Sequence, residues 1–100
     1  MLWAISRVAG PDFAAKREKS LQAHLDYLHS RKDILVVSGG TTTDDGKEIN
    51  GSILIVNVGS RAEAEAFVNG DPFQKDGMFP KVTITRMRKG QWNPGAAEGA

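Results

Sequence analysis

The chain has 100 residues, 40% of them hydrophobic and 25% charged, with no cysteine and a formal net charge of +1. That length suits one compact domain with a real core, and the composition excludes wholesale disorder, disulfide frameworks, thiolate metal sites and thiol nucleophiles. The balanced charge gives no electrostatic case for nucleic acid, and no apolar run approaches the roughly 20 residues of a membrane span. The opening residues lack the basic-then-apolar layout of a secretory signal, so a cytoplasmic address is expected.

Leu2 to Val8 alternates around apolar positions and stops at Gly10-Pro11, which predicts a first strand. Asp12 is the expected N-cap of a helix from Phe13 to His29. Leu21, His24, Leu25 and Leu28 share one face of that helix, and Arg17 falls near the same stripe, so the first half is expected to be less buried than the second. Arg31-Lys32 suit its C-terminus. The β-branched run Ile34-Leu35-Val36-Val37, ending at Gly39-Gly40, predicts a second strand, and Gly51 to Val58 a third, joined through the Asp45-Gly46 turn signal. Ser60-Arg61-Ala62-Glu63 is a capping box opening a helix. That helix is expected to end near Asn69-Gly70, with Gly70 in the left-handed C-terminal position. Asp71-Pro72-Phe73 begins a loop or short helical turn, and Lys81 to Met87 alternates as the last strand. Residues 1–90 then form the domain, and 91–100 a tail that is loose or lies on a partner.

The order strand, helix, strand, strand, helix, strand predicts a ferredoxin-like α+β domain: a four-stranded antiparallel sheet with both helices on one face. The second and third strands carry consecutive aliphatics, Ile34 to Val37 and Ile53 to Val56, so both faces of the sheet hold apolar groups. Two helices cover one face only. The other is expected to pack against a second copy, as a homodimer through the helix-free sheet face, or else to line a ligand cavity in a monomer.

His29 lies off the apolar stripe and reads as a solvated residue near a helix C-terminus. His24 lies on the stripe, where an imidazole must find partners or leave a costly unsatisfied group. Two readings stay open for it: a satisfied core or interface histidine, and a functional one. Asp71, held extended by Pro72, is its partner to test, although Asp-Pro is also a common turn former. A carboxylate beside a histidine fixes the ring's tautomer and orientation, the layout of a general acid/base. The spacing of residues 24 and 71 does not tell whether they meet. Other templates fail. There is no phosphate loop, His24 and His29 are five apart rather than four as a helical metal pair requires, and the third strand lacks the aromatics of an RNA-binding sheet.

Several short segments together resemble one family. They are Leu2-Trp3-Ala4-Ile5, Ala23-His24-Leu25-Asp26-Tyr27-Leu28, Leu35-Val36-Val37-Ser38-Gly39-Gly40, Ser60-Arg61-Ala62-Glu63-Ala64 and Gly70-Asp71-Pro72-Phe73, followed by Gly77 and Phe79. Over residues 1–90 the chain is similar to the YciI-like (YCII-related) proteins of the dimeric α+β barrel superfamily. The resemblance implies a sheet-paired dimer and a His24–Asp71 dyad in a pocket between sheet and helices. Where many relatives carry Gly-Pro after the second strand, this chain has Gly39-Gly40, a change expected to loosen the pocket rim. One branch of the family works without a cofactor, eliminating chloride from a chlorinated hydroxyhydroquinone, and muconolactone isomerases belong to the same superfamily.

The expectation is therefore a cofactor-free, metal-free lyase or isomerase acting on a small cyclic or aromatic metabolite. His24 is its acid/base and Asp71 the group that holds the far ring nitrogen. Trp3, Phe73 and Phe79 are expected as apolar walls, and Ser38 with the Gly39 backbone as donors to an oxyanion. The alternative is a non-catalytic homodimeric ligand-binding module in which His24–Asp71 is structural.

Overall fold

Strand β1 spans Leu2–Val8 in the computed structural model, which describes residues 1–100. Its alternation points Trp3, Ile5 and Arg7 to one side, where all three are buried. Helix α1 (Phe13–Ser30) follows, then strands β2 (Leu35–Thr42) and β3 (Ile49–Asn57), helix α2 (Arg61–Gly70), the one-turn helix α3 (Pro72–Lys75) and strand β4 (Lys81–Met87). The strands form one antiparallel sheet in the order β2-β3-β1-β4. This is the predicted ferredoxin-like arrangement.

The main core lies between the helices and the sheet. Trp3, Ile5, Leu54 and Val56 pack against Ala64, Phe67 and Val68 of α2, and each large side chain there contributes about 1.5–3 kcal/mol of burial. A second cluster, Phe13, Phe73, Met78 and Phe79, closes the other end of the helical layer. The opposite sheet face carries aliphatics as well. Val37 pairs with Ile55, and Val37 and Ile53 stay half exposed. Both strands are two-sided, as their unbroken aliphatic runs required.

Several local expectations are corrected. Asp12 stands at the start of α1, but its side chain makes no capping bond. In the Ser60 box the serine hydroxyl accepts from the Glu63 amide at 3.2 Å, but the Glu63 carboxylate reaches back to the Gly59 amide rather than to that of Ser60. Gly70 is not left-handed, since only Gly46, Gly77 and Gly99 have positive φ. It is glycine for space: a Cβ there would lie 2.5 Å from the Tyr27 hydroxyl, which donates to the Phe67 carbonyl at 2.7 Å. The burial gradient along α1 is also reversed. Its buried residues are Phe13 and Ser20 in the first half, while Leu25 is half exposed. The first half is anchored by the aromatic cluster and by a hydrogen bond from Ser20 to Asp76; the second borders an opening. The Gly39-Gly40 pair lies inside β2, which runs on to Thr42. Residues 91–100 are exposed and include a 3-10 turn at Pro94–Ala97.

Candidate functional site

Asp71 sits between α2 and α3, where Pro72 opens the short helix and Asp71 itself is extended (φ −69°, ψ 125°). In that conformation its Oδ1 accepts the Phe73 amide at 3.0 Å and caps α3. The same oxygen lies 2.7 Å from Nδ1 of His24. Oδ2 accepts from Nη1 of Arg7 at 2.8 Å. Arg7 also donates to the Ser52 hydroxyl at 3.3 Å, and its guanidinium lies 4.2 Å from the centre of the Phe79 ring. Arg7 and Asp71 are almost wholly buried, 2% and 1% exposed.

Electrostatics fix the charge of this group. Burial pushes the Asp71 carboxyl up, but the hydrogen bonds from His24 and Arg7, with the charge beside it, outweigh burial and hold it below the usual carboxylate range. Burial pulls the Arg7 guanidinium down, and its bond and proximity to Asp71 oppose that. An arginine remains charged regardless. Asp71 is therefore an acceptor-only carboxylate near neutral pH, so the His24 nitrogen facing it carries a proton. Nε2 is the nitrogen left for other chemistry. The imidazole is also stacked on Phe73, with ring centres 3.8 Å apart and planes 2° from parallel, so its orientation is held by both an edge and a face.

Beside His24 lies a cavity of about 220 Å³ between α1 and the β2–β3 hairpin. An apolar cavity of about 150 Å³ already holds benzene, so this one has room for a single substituted ring. The α1 stripe of Arg17, Leu21, His24 and Leu28 forms one wall, so Leu21 and Leu28 touch the two core clusters on one side and stay only partly buried. Ser38, Gly39 and Ser52 face them from the sheet, and Phe73 and Phe79 close one end.

Most of the residues singled out in the sequence meet here: His24, Ser38, Gly39, Phe73 and Phe79 line the cavity, and Asp71 stands behind His24. Trp3 does not. It pairs with Val56 and Arg86, toward the end of β1 away from Arg7, and its ring belongs to the main core. Its indole N–H donates to the Val58 carbonyl at 3.2 Å. His29 is exposed, as read. Sequence reasoning passed over Arg7, although a signal was present: it is in phase with Trp3 and Ile5, so an arginine stands where β1 calls for a core residue. Arg17 lines the cavity as well, where its helical phase with Leu21 and His24 places it.

Residues 1–88 match the model of the YCII-related domain. The chain belongs to the YCII-related family. Among solved structures it is similar to the 5-chloro-2-hydroxyhydroquinone dehydrochlorinase (TftG) from Burkholderia phenoliruptrix AC1100, in complex with 2,5-dihydroxybenzoquinone. The two share 36% identity with a TM-score of 0.80, covering 90% of this chain and 96% of that one. An antibiotic biosynthesis monooxygenase is similar at a TM-score of 0.53 and 12% identity, covering 91% of this chain and all (100%) of that one, a likeness of fold alone. Comparison with curated proteins gives no match.

Proposed function

We propose that this YCII-related protein is a cofactor-independent lyase acting on a small hydroquinone-type ring, with His24 as general acid/base. The observation that carries the reading is the 2.7 Å contact of His24 with Asp71 at the wall of a cavity of single-ring size. The likeness to a dehydrochlorinase bound to a dihydroxybenzoquinone supports the substrate class.

The chemistry needs one mobile proton and a steady counter-charge. In a chlorinated hydroxyhydroquinone, Nε2 of His24 takes a ring hydroxyl proton and delivers it to the chlorine-bearing carbon, which becomes tetrahedral. Loss of the proton from the hydroxyl para to the new carbonyl sends an electron pair through the ring and expels chloride. The products are a hydroxybenzoquinone, chloride and a proton, so atoms and electrons balance without an added oxidant. Asp71 holds Nδ1 and stabilises the imidazolium between steps. The unpartnered Ser38 hydroxyl, at the cavity, is the group available to a developing oxyanion; the Gly39 amide, expected beside it, is turned to Ile53 in the β2–β3 ladder and is not. The subunit works as a homodimer joined through the helix-free sheet face.

The test is chloride release from 5-chloro-2-hydroxyhydroquinone by the wild-type chain and by His24→Gln. The expected result is enzyme-dependent release that falls by a factor of about 10²–10⁴ in the variant. Wild-type release no faster than the buffer rate would reject the reading.

A second reading has an observation of its own. Asp71 caps α3 and neutralises buried Arg7, so it has structural work without any reaction. On that reading the cavity binds a ring without transforming it. His24→Gln would then lower stability and leave ligand affinity unchanged.

A further inference from the structure

Three cationic or ionisable side chains line the cavity, Arg7, Arg17 and His24, and no carboxylate does. Two of them are answered: Arg7 and His24 both bond Asp71 behind the wall. Arg17 is not. It is half-buried on the α1 stripe and makes no salt bridge or side-chain hydrogen bond, while its neighbour Lys16 pairs with the Asp12 carboxylate and donates to the Asp76 backbone carbonyl. Glu48 lines an adjoining groove with Arg17 but does not come within 4.0 Å of it in an ion pair. A guanidinium beside leucines, with no acid of its own, is an incomplete electrostatic arrangement.

We infer that Arg17 is an anion subsite, and that the cavity selects small planar rings carrying an ionised oxygen over neutral rings of the same size. The inference rests on the reading that the cavity admits a ring, and adds that the ionised hydroxyquinone product is held more tightly than the neutral hydroquinone-type substrate. Arg17 precedes His24 by seven residues, two turns along one face of α1 and about 10 Å along the axis. A six-membered ring with oxygens at opposite positions, hydrogen-bonded at both ends, is of about that length. One oxygen then meets the guanidinium while the other lies toward Nε2 of His24. Hydroxyquinones suit this arrangement, because a hydroxyl conjugated to a quinone carbonyl is a vinylogous carboxylic acid and is ionised near neutral pH. Hydroquinone, of similar shape, is neutral there.

The experiment measures affinities of 2,5-dihydroxybenzoquinone and of hydroquinone for the wild-type chain, Arg17→Gln and Arg17→Lys, alongside chloride release from the chlorinated substrate. Arg17 has no protein partner to lose, so both variants should keep the wild-type melting temperature. The expected result is that the wild-type chain prefers the ionised ring by at least about tenfold. Arg17→Gln should erase that preference by weakening the ionised ring alone, and Arg17→Lys should retain part of it. Equal wild-type affinities for the two rings, or a preference that survives Arg17→Gln, would overturn the subsite even if His24-dependent chloride release persists. A preference lost in Arg17→Gln without any chloride release would uphold the subsite and reject the lyase. Binding of neither ring would overturn both.

Discussion

Asp71 accepts from α1, from β1 and from its own following turn, so changing it disturbs three contacts at once. Asp71→Asn leaves the buried Arg7 guanidinium without a counter-charge, and a loss of about 3–5 kcal/mol is expected in chemical denaturation. Arg7→Gln should cost a similar amount, and the double variant less than the sum of the two, because both remove one shared pair. The pH dependence follows from the direction of the Asp71 shift. Its carboxyl is depressed in the folded chain, so its contribution to stability is fully present above the unfolded value of about 3.9 and is lost as pH falls through the lower folded value. Wild-type stability should therefore fall with acidification below about pH 4, and Asp71→Asn should lack that component of the slope. His24 was legible in the sequence because it interrupts a leucine stripe at helical phase, and Asp71 because proline constrains the residue before it. Their meeting was not legible, since it depends on how α1 docks against α3. Arg7 shows the converse: the phase of β1 marks it, but only its distant partner explains it.

Elements bounded by strong turn or cap signals were readable almost to the residue. Strands β1 and β4 begin and end where alternation stops, and α2 starts at its serine cap. Ser60→Ala should cost about 1 kcal/mol, a drop of about 4–8 °C in melting temperature for a chain this size. What was misread at this scale depended on neighbours. The leucines of α1 have the pattern of a core face, yet the wall opposite them is glycine- and serine-rich, so Leu21 and Leu28 reach the core only in part and the stripe borders a cavity. Gly70 looked like a conformational glycine and is a steric one. Gly70→Ala would drive a methyl group into the Tyr27 ring, whose hydroxyl and Cζ would lie 2.5 and 2.9 Å from it. A loss of about 1–3 kcal/mol is expected. Tyr27→Phe should relieve part of that strain, so thermal melts of the double variant should show a smaller loss than the two single effects summed.

At the scale of the whole molecule, the helix-free face of the sheet is the surface that the two helices leave uncovered. Ala4, Ile53, Ile55 and Val37 come together there by strand register, Ala4 opposite Ile55 and Ile55 opposite Val37, with Ser6 beside Ile53. Val37 is 50% exposed and Ile53 42%. An aliphatic group left in water forgoes much of the roughly 1.5–3 kcal/mol of full burial, and a sheet offering such a patch at its centre is suited to facing its own copy across a two-fold axis. Light scattering should accordingly give the mass of two 10.8 kDa chains. Ile53→Lys would place like charges near one another across that axis, so it should shift the mass to a single chain while circular dichroism stays unchanged. The cavity lies on the other side of the sheet, between α1 and the hairpin, so a monomeric Ile53→Lys that keeps ring binding would separate pairing from recognition. A wild-type chain that scatters as a monomer at all concentrations would reject the paired sheet and leave the His24 cavity to be judged on its own.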